Sequence, residues 1–407
     1  MMFVAVMGYG TVGSGVAAVL KRNGEAISRR CGCDSISLKK ILDIRSFPGD
    51  EFESLITSDF QEILNDPEIK IVAETMGGLH PAYDFVLALL KAGKSVVTSN
   101  KELVAVKGRE LLETAEKNGV NFLFEASTGG GIPVLRPIYQ CLCANEITEV
   151  AGILNGTTNY ILTKMIKEGS SFEAALSQAQ ALGYAEKDPT ADVDGIDALR
   201  KICILSDLCF GKNVPPESVE AIGIRGVTPA DVSAAKTLGG VIKLIASAKR
   251  LDGGKLAVTV SPAFVKNGSM LSVTDDVLNC ALVRGDAVGE VCFEGPGAGK
   301  LPTASAVVAD IADCARHIGV NRSPSWEEGD GSNVVTGDSF TAPWLVRAKG
   351  DKEEIGKQFP GAGFIDVPGI PAGEVCFTTA EMPRIRVKSG LASSGAEACS
   401  VIRITDY

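Results

Sequence analysis

The chain has 407 residues, of which 45% are hydrophobic and 22% charged, with a formal net charge of −10. That length suits two or three domains, and the composition excludes a disordered chain. The acidic balance argues against a nucleic-acid partner, which needs a basic footprint, and no apolar run is long enough to suggest a membrane-spanning helix.

Met1–Met7 is short and apolar, with no basic region and no cleavage site, so it reads as a strand and not as a targeting segment. Thr11–Leu20 has helical spacing, with Val12, Val16, Val19 and Leu20 apolar. Ile36–Ile44 and Lys70–Ala73 are strand-like; Ala82–Lys91 is helical and stops before Gly93. Ser95–Thr98 is a strand, Leu103–Lys117 a helix ending at Asn118-Gly119, and Val120–Glu125 a further strand. Strands alternating with helices predict a parallel, doubly wound sheet of Rossmann type. The glycine-rich stretch Ser127–Pro133 breaks the pattern and marks a domain boundary.

Beyond it, strands follow strands: Ile147–Leu154, Val241–Ser247, Leu256–Val260, Val277–Val283 and Val288–Phe293. An α+β domain with a partly antiparallel sheet is expected there. Thr303–Ile318 is a long Ala-rich helix, and Asn321–Asn333 reads as a polar linker. The last stretch reads strand Trp344–Ala348, helix Lys352–Gln358, strands Gly363–Val367 and Glu374–Thr379, helix Arg384–Leu391 and strand Cys399–Thr405, a small βαββαβ unit. The domains are therefore placed at 1–128, completed by a helix near 300–320, at 129–299 and at 334–407.

Composition also limits the chemistry. With only His80 and His317, a histidine-rich metal site is not expected. The eleven cysteines show no paired C-x-x-C spacing, and most of those outside the C-x-C pairs sit in apolar runs; they read as reduced, partly buried thiols of a cytoplasmic protein.

Three motifs carry the functional reading. Gly8-Tyr9-Gly10-Thr11-Val12-Gly13 is G-x-G-x-x-G after a strand and opening a helix, the pattern that lets a backbone approach a pyrophosphate at a helix N-terminus. Asp43, at the end of the second strand, is placed to meet the adenosine ribose, although it lies 30 residues past Gly13, so the first helix must be extended or looped. The acid favours NAD; Arg45 or Lys39 offers a contact for a 2′-phosphate, and the choice stays open between NAD and NADP. Glu74-Thr75-Met76-Gly77-Gly78 and Ser99-Asn100-Lys101 both follow parallel strands, where ligands bind in such sheets. Thr75 is placed with the cofactor, and Lys101 is within reach of a substrate carbonyl.

The most informative stretch is Gly183–Lys201, with Glu186, Asp188, Asp192, Asp194 and Asp197 in twelve residues. Asp197 and Lys201 stand one helical turn apart, acid first, on the face that continues into the apolar run Ile202–Leu205. A lysine entering a buried helix beside an acid is a candidate proton donor, and no histidine stands nearby in sequence to compete. Glu186 and Asp192 suit a cationic amine on a small substrate. Asn155-Gly156-Thr157-Thr158-Asn159 is rich in donors at a strand-to-helix junction and also reads as a plain helix cap. Gly295–Gly299 precedes the Ala-rich helix and reads equally as an ordinary entry loop.

These segments, in this order over residues 1 to 320, closely resemble homoserine dehydrogenase. The resemblance implies NAD(P)-dependent interconversion of homoserine and aspartate 4-semialdehyde, on the route to threonine and methionine. It implies Lys201 as proton donor, Lys101 as its partner at the reacting centre, and Asp197 orienting substrate and lysine. Glu186, with Asp192, Gly156 and Thr157, would hold the substrate. Gly8, Gly10, Thr11, Val12, Gly13, Asp43, Thr75, Lys101 and Gly299 would meet the cofactor. A sodium ion is implied at Glu125, Thr128, Gly130 and Ile132, bound mostly by backbone carbonyls, with Thr128 where valine is usual. The substrate domain is expected to form a homodimer or higher homo-oligomer. The last unit looks like an ACT-type amino-acid-sensing module, but the usual acid-x-Pro-Gly turn after its first strand is missing; Asp366-Val367-Pro368-Gly369 falls later. An amino-acid effector there stays open. Two competing readings are an aspartate-semialdehyde dehydrogenase, which needs a Cys–His pair, and a non-enzymatic amino-acid sensor on a nucleotide-binding fold.

Overall fold

Six parallel strands build the first sheet: β1 Met2–Met7, β2 Ile36–Leu42, β3 Ile56–Thr57, β4 Ile69–Glu74, β5 Ser95–Thr98 and β6 Phe122–Leu123. Their order, β3-β2-β1-β4-β5-β6, is the doubly wound arrangement, with its switch point between β1 and β4. The central strands are apolar along nearly their whole length because both faces are covered. The computed structural model describes residues 2–335 and 337–407; Met1, part of the expected first strand, lies outside them.

The helix after β1 runs Thr11–Cys31, 21 residues, to a left-handed cap at Gly32. Its length accounts for the wide spacing from Gly13 to Asp43. Only Phe122–Leu123 of the expected strand Val120–Glu125 pairs in the sheet, and Glu125–Ser127 turns as a short 3-10 helix. The cause is the Glu125 carboxylate, which accepts hydrogen bonds from the amides of Val134, Leu135 and Arg136 and draws the chain out of the sheet. The two-residue strand β3 was not legible, since so short a run carries no periodicity.

The described residues form two compact units. The first takes residues through Asn145, Cys203–Pro215 and Gly295–Gly329; the second takes Glu146–Ile202, Pro216–Glu294 and Asp330–Tyr407. In the first, the helices Thr11–Cys31 and Lys300–Arg316 pack on the sheet through Val16, Leu20, Val307 and Ile311. Gly15 makes this approach close: a Cβ there would meet Lys300 O at 2.5 Å.

A mixed ten-stranded sheet organises the second unit. Its strands are β7 Ile147–Ile153, β8 Gly240–Arg250, β9 Leu256–Lys266, β10 Leu278–Gly285, β11 Gly289–Pro296, β12 Val334–Val335, then β14 Trp344–Lys349, β15 Gly363–Ile365, β16 Glu374–Thr378 and β18 Glu397–Ile404. β13 Thr341–Ala342 and β17 Met382–Pro383 pair separately. The path is β11-β10-β7-β8-β9-β18-β14-β16-β15. β10, β7, β8 and β9 are antiparallel neighbours, as expected. The last residues follow the βαββαβ order, with strands arranged β18-β14-β16-β15 as in split βαβ folds. β18 joins β9 in parallel through Arg403 and Ile404.

Candidate active site

At the switch point of the first sheet the glycines meet close constraints. Gly8 has φ 89°, and a Cβ on it would lie 2.9 Å from Met76 Cα. A Cβ on Gly13 would overlap Gly8 O and come within 2.8 Å of Thr75 Oγ1, whereas one on Gly10 would meet nothing within 4 Å. Two of the glycines thus serve close packing, and the third leaves open space before the N-terminus of the Thr11–Cys31 helix. Thr11 is exposed and Val12 half-buried at that start. Thr75 Oγ1 donates to Gly8 O at 2.8 Å and fixes the turn from the neighbouring strand.

A cleft of about 580 Å³ opens here, lined by Gly8, Gly10, Asp43, Arg45, Phe60 and Thr75 among others. The Asp43 carboxylate accepts from Tyr9 N at 2.7 Å and from Arg45 Nε and Nη2 at 2.9 and 2.8 Å. Its hydrogen bonds from the Arg45 side chain hold the carboxyl down at about 2. The acid is therefore ionised and already clasped by the cation expected to compete with it for the choice of nucleotide. Phe60 stacks on Phe85 at 4.0 Å in the same cleft.

Glu74, which the sequence left in the background, organises the next loop. It is fully buried and accepts from Thr98 Oγ1 and from Met76 N at 2.7 Å; burial pushes its pKa up. Lys101 opens the Lys101–Lys117 helix, capped by Asn100, whose Oδ1 accepts from Leu103 N at 3.1 Å. Gly299 caps the Lys300–Arg316 helix at φ 126°. Gly130 has φ 60°, and a Cβ there would overlap Gly297 O, so the turns at 129–132 and 295–299 interlock. Thr128 and Ile132 are buried in the same segment.

In the second unit the chain gathers a buried polar cluster. Asn155 caps the Gly156–Glu168 helix, its Oδ1 accepting from Thr158 N at 2.9 Å. Its Nδ2 donates to Asp192 Oδ1 at 2.7 Å and to Asp197 Oδ2 at 2.9 Å. Lys201 Nζ lies 2.9 Å from the same Asp197 oxygen and donates to Leu154 O at 2.7 Å. Lys201 is 8% exposed and Asp197 6%. The expected helix carries them: Ile196–Phe210, with Ile202–Leu205 fully buried. Burial, with the neighbouring charge of Asp197, raises the Asp192 carboxyl above the usual range.

The other residues of the motif part ways. Asp188 caps Thr190 N, Asp194 pairs with Arg225, and Glu186 sits exposed on the loop, its carbonyl accepting from Gln180. Thr157 Oγ1 donates to Tyr184 O at 2.7 Å, and Gly156 lets the helix start approach Val277 O, 2.8 Å from where a Cβ would stand. Sequence reasoning weighed Asn155 as a cap or a ligand-binding donor; the structure shows that its amide also bridges two acids 37 and 42 residues away.

Neither histidine takes part in this cluster: His80 pairs with Asp84, and His317 bonds Asp313 O. All eleven cysteines are reduced thiols. No helix among the described residues is long and apolar enough to cross a membrane.

Residues 8–125 match the family description "Homoserine dehydrogenase, NAD binding domain", and residues 133–312 match "Homoserine dehydrogenase". The homoserine dehydrogenase of Bacillus subtilis is 41% identical over 343 residues, covering 84% of this chain and 76% of that protein. The crystal structure of a homoserine dehydrogenase from Thiobacillus denitrificans superposes with a TM-score of 0.90 at 33% identity, over 100% of this chain and 98% of that one. A hyperthermophilic archaeal homoserine dehydrogenase in complex with NADPH gives a TM-score of 0.66 at 28% identity, over 77% of this chain and 97% of that one.

Proposed function

The chain belongs to the homoserine dehydrogenase family, oxidoreductases acting on a CH–OH group, and from this premise we propose that it interconverts L-homoserine and L-aspartate 4-semialdehyde with NAD or NADP, using Lys201 as the proton donor. The bound nicotinamide supplies or accepts the hydride at the reacting carbon. The residues of the chain do the rest. Gly10, Thr11, Val12 and Gly13 present the helix start to a pyrophosphate and Gly8, its own N–H bonded to Leu42 O, lets the turn bring them there, with Gly299 and Lys101 as further contacts. The Asp43 oxygens already accept from Tyr9 N and from Arg45 N, Nε and Nη2, so Asp43 takes a ribose hydroxyl as the Arg45 side chain releases it, and the released Arg45 can meet a 2′-phosphate.

Lys201 carries three N–H donors. Two are committed to Asp197 Oδ2 and Leu154 O, and the third has no partner among the described residues. That third proton is the one given to the aldehyde oxygen as it becomes an alcohol, and taken back in the reverse direction. Asp197 fixes the direction of the ammonium, and Lys101 assists at the reacting centre. Asp192 and Glu186 bind the substrate ammonium, with Gly156 and Thr157 at the helix start beside them.

The buried Lys201–Asp197–Asn155–Asp192 cluster is the observation that carries this reading. Its test is Lys201→Met. Turnover with aspartate semialdehyde and NADPH should fall about 10²–10⁴-fold, while NADPH binding, followed by fluorescence quenching, stays intact. Parental turnover in that variant overturns the assignment.

The same reading places sodium at the 125–132 turn. The Glu125 carboxylate is spent on three amides, so Glu125, Thr128, Gly130 and Ile132 would offer carbonyl oxygens, a hard donor set suited to that ion. It also gives a cytoplasmic homo-oligomer on the route to threonine and methionine, with domains at 1–128, 129–299 and 334–407, the last ACT-like. An amino-acid effector of that last domain would be tested by kinetics with and without threonine.

A further inference from the structure

Glu74 is the last residue of β4 and is fully buried beside the switch point, where the loop that follows it lines the cleft through Thr75, Met76 and Gly77. A buried carboxylate is tolerated only where donors surround it. Here the donors come from two different loops. Oε1 accepts from Met76 N at 2.7 Å and from Gly77 N at 3.3 Å, and Oε2 accepts from Thr98 Oγ1 at 2.5 Å. Asn100 N donates to the same Thr98 oxygen at 2.9 Å, so the Thr98 proton is left to point at Glu74. Asn100 Nδ2 then crosses to Gly78 O at 2.6 Å and ties the two loops a second time, one residue before Lys101.

Gly77 and Gly78 have φ 79° and 71°, two successive left-handed residues that curl the loop around the carboxylate. The other side of this loop meets the glycine turn. Thr75 Oγ1 donates to Met7 O at 3.0 Å and to Gly8 O at 2.8 Å, and Met76 Cα lies 2.9 Å from where a Cβ on Gly8 would stand. The Met76 peptide is therefore clamped between the Glu74 carboxylate and the turn at Gly8.

We propose that Glu74 is a positioning residue for cofactor binding and turnover, setting the 75–78 loop and the Lys101 helix start in one arrangement against the glycine turn. The inference rests on the function proposed above, in which Thr75 and Lys101 meet the nucleotide and Lys101 assists at the reacting centre. Both Glu74 oxygens are engaged inside the protein, so it acts through those residues and not on the substrate. Glu74→Gln keeps the size but exchanges one acceptor oxygen for an NH₂ donor. Turned towards Met76 and Gly77, that group opposes two N–H donors; turned towards Thr98, it opposes the hydroxyl proton. Either orientation breaks the tie to one loop.

The test is NADPH titration by fluorescence quenching, with steady-state kinetics, on the parent chain, Glu74→Gln, Thr98→Val and Thr98→Ser. Glu74→Gln should raise the NADPH Kd about tenfold or more and lower kcat about 10–100-fold. The KM for aspartate semialdehyde, whose contacts are placed in the second unit, should stay within about twofold, a split that a general loss of structure does not produce. Thr98→Val removes one donor without touching the buried charge and should move Kd and kcat in the same direction. Thr98→Ser, which keeps the hydroxyl, should restore both. Parental Kd and kcat in Glu74→Gln overturn the inference and leave the function standing. Parental values in Thr98→Val do the same, and decide the matter if Glu74→Gln does not fold. A parent chain that does not bind NADPH overturns the function and this inference together.

Discussion

Lys201 shows how a single side chain acquires a role from its surroundings. Its ammonium is held by one carboxylate and one main-chain carbonyl, and the carboxylate is held in turn by Asn155. Asn155 is thus a positioning residue, acting through Asp197. Asn155→Ala should lower kcat about 10–100-fold, since small displacements at a reacting centre have that effect. Loss of its capping bond should also cost about 1 kcal/mol, read from urea unfolding. Asn155→Ser, which keeps a capping oxygen but loses the amide donor, separates the two effects: stability should recover more than kcat does. Asp192 adds a pH dependence. Burial and the Asp197 charge raise its carboxyl, and only the ionised form attracts a substrate ammonium. kcat/KM should therefore fall, as pH is lowered, at a pH above the ordinary aspartate range; Asp192→Asn should remove that acid limb and raise KM.

At the scale of elements, the glycine turn makes a sharp prediction because its glycines are not equivalent. Gly13 packs against Gly8 O and Thr75, and Gly10 faces open space. Gly13→Ala must push the helix away from β4 and should destabilise the chain by about 1–3 kcal/mol, the cost of overpacking. Gly10→Ala should leave thermal stability almost unchanged and weaken nucleotide binding. Differential scanning calorimetry and NADPH titration of the two variants distinguish packing from ligand approach. Equal loss of stability in both would refute the distinction. The motif predicted that glycines were needed; which one serves which purpose depends on the segment just after β4, whose Thr75 lies 62 residues past Gly13 and shares no local pattern with it.

For the second unit as a whole, Arg347 ties β14 to the Pro229–Thr237 helix. It donates from Nε to Asp231 Oδ1 at 2.9 Å and from Nη2 to Thr228 Oγ1 at 3.0 Å. Asp231 is 1% exposed and also completes the capping box of its helix. Burial pushes its carboxyl up, but hydrogen bonds from Arg347, Ser400 and Thr228 outweigh that and hold it below the usual value. A carboxyl lowered on folding contributes stability that is complete above its unfolded pKa of about 3.9 and is lost as pH falls through the folded value. The unit should therefore keep this contribution at neutral pH and lose it below about pH 4. Asp231→Ala should cost about 1–3 kcal/mol at neutral pH, because it removes one carboxylate from a buried guanidinium that keeps Glu374. Urea unfolding at neutral and acid pH checks both: the gap between parent and variant should narrow in acid.

The sequence by itself determined the parallel sheet, the glycine turn, the buried helix carrying Asp197 and Lys201, and the βαββαβ order of the last residues, because each rests on periodicity or on spacing within one or two turns of chain. The extended first helix was legible too, from the distance between Gly13 and Asp43. Tertiary structure decided the rest. It fixed which of five neighbouring acids face Lys201, that Asn155 joins two of them, and that Arg45 clasps Asp43. These depend on where segments remote in sequence come to lie, and a hydrogen bond of 2.7–3.0 Å leaves no trace in the local pattern of either partner.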